Sequence, residues 1–365
     1  MPEPSSGGRV SARLPDFPWD QLTGYKARAA AHPDGLVDLS MGTPVDPVPA
    51  VIRQALAAAS DASGYPTTAG TPQLRAAISA YLAERFGAPS GASVLPTIGS
   101  KELVAGLPTL LGLGAGDLVV IPELAYPTYQ VGARLAGADC LASDSLTALG
   151  PRRVRLLWLN SPANPTGRVL PVSHLRKVVA WARERGVVVA SDECYLEFGG
   201  VSVLHPDICD GDVRGLLAVH SLSKRSNLAG YRAGFVAGDP DLVGELLAVR
   251  KHAGLIVPTP VQAAMTAALG DPKHAAEQRD RYDRRREPLR AALRSAGFRI
   301  EHSEAGLYLW ATRGEDCWQT VDFLASRGIL VSPGSFYGPA GARHVRVALT
   351  ATDDHIAAAC TRLTS

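Results

Sequence analysis

A chain of 365 residues is too long for one small domain, and at roughly 100–200 residues per domain it predicts two. A hydrophobic fraction of 46% is that of an ordinary globular protein, so the core needs no metal or disulfide staple. Thirty-seven basic against 35 acidic side chains leave a formal charge of +2, which argues against a nucleic-acid partner, since such proteins carry a marked basic excess. Cysteines at 140, 194, 209, 317 and 360 form no close pair, which excludes a Cys-x-x-Cys motif and suggests a reducing compartment. The first 20 residues contain no apolar stretch of signal-peptide length, and no apolar run approaches the ~18 residues of a membrane span. A cytoplasmic protein that enters no membrane is expected.

In chain order, the first 45 residues are rich in Pro and Gly and predict no helix before Pro49. Thr71-Pro72 reads as a cap and first-turn proline; Leu74, Ile78, Tyr81, Leu82 and Phe86 then form one helical stripe, which Gly87 stops. Gly112-Leu-Gly114-Ala-Gly116 precedes a predicted strand instead of following one. It therefore predicts a turn and not a dinucleotide loop. Runs rich in Val, Leu and Ile predict strands at 117–121, 154–159, 187–190, 216–219 and 234–237, with a helix over 173–186 between the second and third. Such alternation predicts an α/β fold with a mostly parallel sheet. Beyond about residue 265 the pattern changes to a charged helix at 278–295 and shorter strands at 306–312, 328–331 and 344–349. The basic string from Arg279 to Arg290 is broken by acidic residues at helical spacing and predicts a solvated face, not an anion patch. The expected organisation is an N-terminal arm (1–45) packing with a small α+β domain (266–365), and a large α/β domain (46–265).

In open parallel sheets, ligands bind beyond the carboxyl ends of the strands. Four successive predicted strand ends here carry polar or aromatic groups: Pro122 to Pro127 with Tyr126, Asn160 to Gly167 with Asn164, Ser191 to Tyr195 with Asp192, and His220 to Lys224. A partly desolvated lysine such as Lys224 can attack a carbonyl. Ser221, Ser223 and Arg232 suit a phosphate. Asp192 suits a protonated ring nitrogen, Asn164 and Tyr195 can donate to a phenolate oxygen, and Tyr126 can stack on a ring. Taken singly, Lys224 reads as a surface lysine, Asp192 as a helix cap and the tyrosines as core. Their joint order describes pyridoxal 5′-phosphate.

The set Asn164-Pro-Thr-Gly, Asp192-x-x-Tyr195, Ser221-x-Ser223-Lys224 and Gly230-x-Arg232-x-Gly234 resembles the class I/II aminotransferases of fold type I. That resemblance implies a large domain with a mostly parallel central sheet flanked by helices, plus a smaller α+β domain. It also implies a homodimer in which Tyr65 reaches the partner's cofactor phosphate. Ser100 and Lys101 fall in a segment, Gly99-Ser100-Lys101, that resembles the phosphate-binding helix start. Gly42-Thr43-Pro44 resembles the stretch that closes over substrate. Arg346, alternating with Val345 and Val347, matches the arginine that grips the α-carboxylate, and Arg343 lies three residues earlier, in a predicted turn. Glu304 to Tyr308 and Ser332-Pro333-Gly334 fit further small-domain motifs.

Within the class the strings GTPVDPVP, GYPTTAGTPQLR, PELAYPTYQVGARLAGA, SDECYLEF and VRKHAGLIVPTPVQAAM are most similar to N-succinyldiaminopimelate aminotransferases. The resemblance implies ping-pong transfer between glutamate and N-succinyl-2-amino-6-oxopimelate, with Lys224 as base and acid. Lys101, Arg225 and Arg13 are candidates for the succinyl group or distal carboxylate. Other class I/II aminotransferases, a lyase on the same cofactor and a non-enzymatic regulator are the alternatives. The regulator reading would call for a DNA-binding segment, which is not seen. HExxH and GxxxxGK[ST] motifs are absent, and no metal is expected.

Overall fold

The computed structural model describes residues 10–365. Its strands, in chain order, are β1 (Val37–Asp38), β2 (Ser93–Ile98), β3 (Leu118–Ile121), β4 (Asp139–Ala142), β5 (Val154–Asn160), β6 (Val188–Asp192), β7 (Leu216–Ser221) and β8 (Ala233–Gly238). There follow β9 (Arg299–Glu301), β10 (Tyr308–Thr312), β11 (Ile329–Leu330), β12 (Ser332–Pro333) and β13 (Val345–Ala348). Seven of them form one sheet in the order β2-β8-β7-β6-β5-β3-β4, in which β8 alone runs antiparallel to both neighbours. The sheet is therefore mixed but mostly parallel.

Alternation along the strands divides the core in two. Leu157, Val189 and Ala218 point into one apolar cluster, while Leu156, Trp158, Ala190, Leu217 and Val219 point into another. The helix Pro72–Phe86 covers the first face, begins where Thr71 Oγ1 accepts the Leu74 N–H at 3.1 Å, and ends at Gly87 with φ 68°. A third cluster gathers Leu22, Val37 and Leu39 with Tyr308, Trp310, Ile329 and Val347. Its four-stranded sheet runs β12-β13-β10-β9, and β1 pairs in parallel with β11 beside it.

Two expectations need correction. The N-terminal stretch does hold a helix, Thr23–Ala30, without a side-chain cap. Packing holds it instead: Tyr25 stacks on Trp318 at 5.4 Å, Ala29 is buried and Arg28 pairs with Asp322. The charged helix runs from Pro272 to Ser295, and its basic string is not simply a solvated face. Arg285 is buried against Asp46 at 2.7 Å, and Arg286 is buried against the Ser303 and Gly306 carbonyls. Arg284 and the acidic Asp283 and Glu287 do face outward. Strands β1, β2, β4, β9 and β12 were not anticipated.

Candidate active site

The C-terminal ends of β5, β6 and β7 meet the residues that follow β3 at a cavity of about 180 Å³. Lys224, Asp192, Tyr195, Asn164, Tyr126, Ser100, Lys101, Gly42 and Arg346 all line it, so most of the predicted set converges. Lys224 sits in the short helix Leu222–Arg225, half-buried, its Nζ 5.6 Å from the Tyr195 ring. No hydrogen bond or ion pair engages its Nζ among the described residues, which leaves an amine facing a cavity.

Asp192, the last residue of β6, is fixed on both oxygens. Tyr129 donates its hydroxyl to Oδ2 at 2.7 Å and the Cys194 N–H donates to Oδ1 at 3.1 Å. Burial, and then the Asp192 charge, push the Tyr129 phenol and the Cys194 thiol well above their ordinary pKa, so both stay neutral. Asn160, opposite Asp192 in register, donates to the Asp192 carbonyl at 2.9 Å and accepts the Asn164 N–H at 2.7 Å. That side chain ties the Asn164 turn to β6. Gly167 has φ 68°, and a Cβ there would lie 2.7 Å from the Ala305 carbonyl, so the turn packs directly on the segment leading to β10.

At the opposite end, Arg346 is fully buried on β13. Its Nη1 donates to Asn164 Oδ1 at 2.9 Å, its Nη2 donates to the Ser40 carbonyl at 2.6 Å, and its Nε has no partner among the described residues. Alternation does place Arg346 on the cavity face, and Arg343 is exposed outside it. The stretch Leu39 to Met41 is held by Ala348 N–H, Ser332 Oγ and Thr350 Oγ1, which brings Gly42 to the cavity rim.

Ser221, Ser223 and Arg232 do not line this cavity. Ser221 Oγ accepts the Ser223 N–H at 3.2 Å, and both serines are buried. Arg232 lies beside the start of the helix Ser100–Leu110: a Cβ at Gly99 would meet its Nη2 at 2.5 Å. A Cβ at Gly234 would touch both the His220 carbonyl and the Ser100 nitrogen, so these segments are pressed together. Tyr65 is fully exposed. Arg225 does not serve the cavity. It is buried against Glu197 at 3.3 Å and the Ala268 carbonyl at 3.1 Å, which makes it a structural ion pair. The Arg13 side chain lies outside the described residues.

Tyr129, Asn160, Cys194, Trp19 and Tyr308 also line the cavity and were not foreseen as site residues. For Asn160 a signal existed, a polar residue closing an apolar strand; for Tyr129 and Tyr308 none did, and both rings are buried.

The donor set fits pyridoxal phosphate. An unpaired lysine amine, a carboxylate held rigid nearby and a helix start flanked by a guanidinium match an aldehyde, a pyridinium and a phosphate in turn. Comparison with known proteins agrees. The family model for aminotransferase class I and II matches residues 34–363. The chain is 67% identical to a probable aminotransferase of Mycobacterium tuberculosis, covering 99% of this chain and 88% of that one. It is 62% identical to the 4-dedimethylamino-4-oxo-anhydrotetracycline transaminase OxyQ of Streptomyces rimosus, over 96% of this chain and 99% of that one. The solved structure of a probable N-succinyldiaminopimelate aminotransferase from Thermus thermophilus superposes with a TM-score of 0.85 at 27% identity, covering 95% and 99% of the two chains. With fold, donor set and relatives in accord, the chain belongs to the class I and II aminotransferases, pyridoxal-phosphate-dependent enzymes of fold type I.

Proposed function

We propose that this aminotransferase moves an amino group between glutamate and a dicarboxylic keto acid, with N-succinyl-2-amino-6-oxopimelate as the acceptor. The observation that carries the reading is a pair of cations lining one cavity. Arg346 is buried at its floor, and Lys101 stands with its Nζ 5.4 Å from the Tyr126 ring centroid and 5.7 Å from that of Phe17. No carboxylate pairs with Lys101 among the described residues. Two cations that find no carboxylate among the described residues suit a substrate that brings two carboxylates.

In this reading the cofactor, when bound, supplies an electron sink for the substrate α-carbon. Lys224 holds it and then carries the proton at that carbon. Asp192, kept in place by Tyr129 and Cys194, keeps the ring nitrogen protonated. Asn164 and Tyr195 donate to the ring's phenolate oxygen. Arg346 orients the α-carboxylate, and Lys101 meets the distal one. Ser100, Ser221, Ser223 and Arg232 hold the phosphate, with Tyr65 contributed across a homodimer. No described helix is long and apolar enough to cross a membrane, and a cytoplasmic biosynthetic role in diaminopimelate and lysine formation belongs to the same proposal.

A second reading takes support from the 62% identity to OxyQ and from the Trp19 and Tyr126 rings on the cavity wall, which suit a polycyclic ketone. Holoenzyme loaded from glutamate is offered the succinylated keto acid, 2-oxoglutarate, pyruvate and the anhydrotetracycline ketone in turn. The proposal expects fast return of the cofactor only with the dicarboxylic acids, and about 10-fold or greater loss of that preference in Lys101→Met. Preference for pyruvate or for the polycyclic ketone would overturn it.

A further inference from the structure

Tyr308 touches three of the residues assigned above and has no assigned role. It opens β10, is 2% exposed, and pairs in register with Ala348. Its ring therefore shares a face with Arg346 on the neighbouring strand, diagonal to it. The Arg346 guanidinium carbon stands 4.2 Å from the Tyr308 ring centroid. At the other end, the Tyr308 and Tyr195 hydroxyl oxygens are 2.9 Å apart. The Tyr308 hydroxyl also fills the space that a side chain at Gly42 would need, since a Cβ there would lie 2.0 Å from it.

A phenol has one proton to give. The Tyr195 hydroxyl has no hydrogen-bond partner but Tyr308 among the described residues, and burial followed by the neighbouring Tyr308 hydroxyl hold it as the neutral phenol. If Tyr195 gave its proton to Tyr308, nothing would remain to point into the cavity. With the Arg346 guanidinium carbon 4.2 Å from its ring centroid, against the Lys224 nitrogen 5.6 Å from that of Tyr195, Tyr308 is the better donor of the pair. Donation from Tyr308 leaves the Tyr195 O–H free and polarises it, so that it donates more strongly.

We propose that Tyr308 is a positioning residue that links the two ends of the site: its hydroxyl donates to Tyr195 and so aims the Tyr195 proton at the cofactor's phenolate oxygen, while its ring carries Arg346 at the height where the substrate carboxylate is met. This rests on the roles given to Tyr195 and Arg346 under the proposed function. Gly42 then has a physical reason to be glycine, since any larger residue would displace the Tyr308 hydroxyl.

The test uses the holoenzyme with Tyr308→Phe and Tyr308→Leu. The readouts are the pH midpoint of the visible band of the Lys224-bound cofactor and the KM for glutamate. The cavity that Lys224 lines also holds Asp192, Cys194, Tyr126, Tyr129, Tyr195, Lys101 and Arg346, all unchanged in both variants. Loss of the hydroxyl weakens Tyr195 as a donor to the phenolate, so Tyr308→Phe shifts the midpoint upward by about 0.5 pH unit. Its ring remains, and KM stays within about 2-fold of the parent. Tyr308→Leu shifts the midpoint similarly and raises KM about 10-fold, because the platform under Arg346 is gone. An unmoved midpoint in Tyr308→Phe overturns the proposal, as does a KM that rises equally in both variants. Tyr308→Phe keeps the buried ring, so it reports even if Tyr308→Leu fails to fold. A parent enzyme with no band that titrates would instead count against the underlying assignment of Lys224.

Discussion

Gly42→Ala is a one-carbon change whose consequence can be worked from distances. The added Cβ would lie 2.0 Å from the Tyr308 hydroxyl oxygen and 2.8 and 2.9 Å from ring carbons, where ordinary contact begins at 3.4 Å. Gly42 has no positive φ, so alanine meets no backbone strain and the whole effect is steric. Tyr308 cannot swing away cheaply, because it is buried between Arg346 and Tyr195. One partner must move by about 1.4 Å to restore that contact, and overpacking of this kind costs about 1–3 kcal/mol. A misplacement of ~1 Å in a catalytic array lowers the rate on the order of 10²-fold. Steady-state kcat/KM for glutamate should therefore fall about 100-fold, while thermal unfolding moves down by only a few degrees. In a Tyr308→Leu background, which removes the obstructing hydroxyl and ring edge, adding Gly42→Ala should cost less than about 3-fold more. Undiminished activity in Gly42→Ala, or an equal further loss in the Tyr308→Leu background, would refute the steric argument.

Arg346→Lys keeps a positive charge but loses the planar fork, the stacking on Tyr308 and one of the two anchors on Asn164 and Ser40. KM for glutamate is expected to rise roughly 10- to 100-fold in initial-rate assays, and a rise below about 2-fold would remove Arg346 from the carboxylate site. Glu197 accepts from Tyr81 at 2.8 Å and pairs with buried Arg225, so Glu197→Gln should lower the free energy of unfolding by roughly 3 kcal/mol in denaturant titration. Burial would raise the Asp46 and Glu197 carboxyls, but the hydrogen bonds and charges of Arg285 at one and Arg225 and Arg85 at the other outweigh it and hold both below the usual carboxylate range. Depressed carboxyls stabilise the fold above the unfolded pKa of about 4 and lose that contribution as pH falls through the folded value, so stability should decline below about pH 4, and less steeply in Asp46→Asn.

The parts of the site legible in the sequence were those where one residue type in one place has one chemical use. Asp192 closes an apolar strand, Asn164 and Lys224 lie just beyond the ends of two others, and strand ends are where an α/β sheet binds. The supporting residues were not legible, because their roles depend on long-range neighbours. Tyr129 lies on a helix, 63 positions from the Asp192 it holds, and Tyr308 lies 113 from Tyr195. Strand β2 was missed because it contains Pro96, which lacks a donor, and the polar Thr97, both of which argue against a strand; β4 is a four-residue edge strand with no fully buried residue. Arg285 and Arg286 read as solvated charge because Asp46 and the Gly306 carbonyl, which draw them inward, lie far away in the chain.

The most direct measurement is reduction of the yellow holoenzyme with borohydride, followed by digestion and mass spectrometry of the lysine peptides. A phosphopyridoxyl group on the peptide bearing Lys224, absent from Lys224→Ala, is the predicted result. A label fixed on any other lysine, or none at all, would contradict the account.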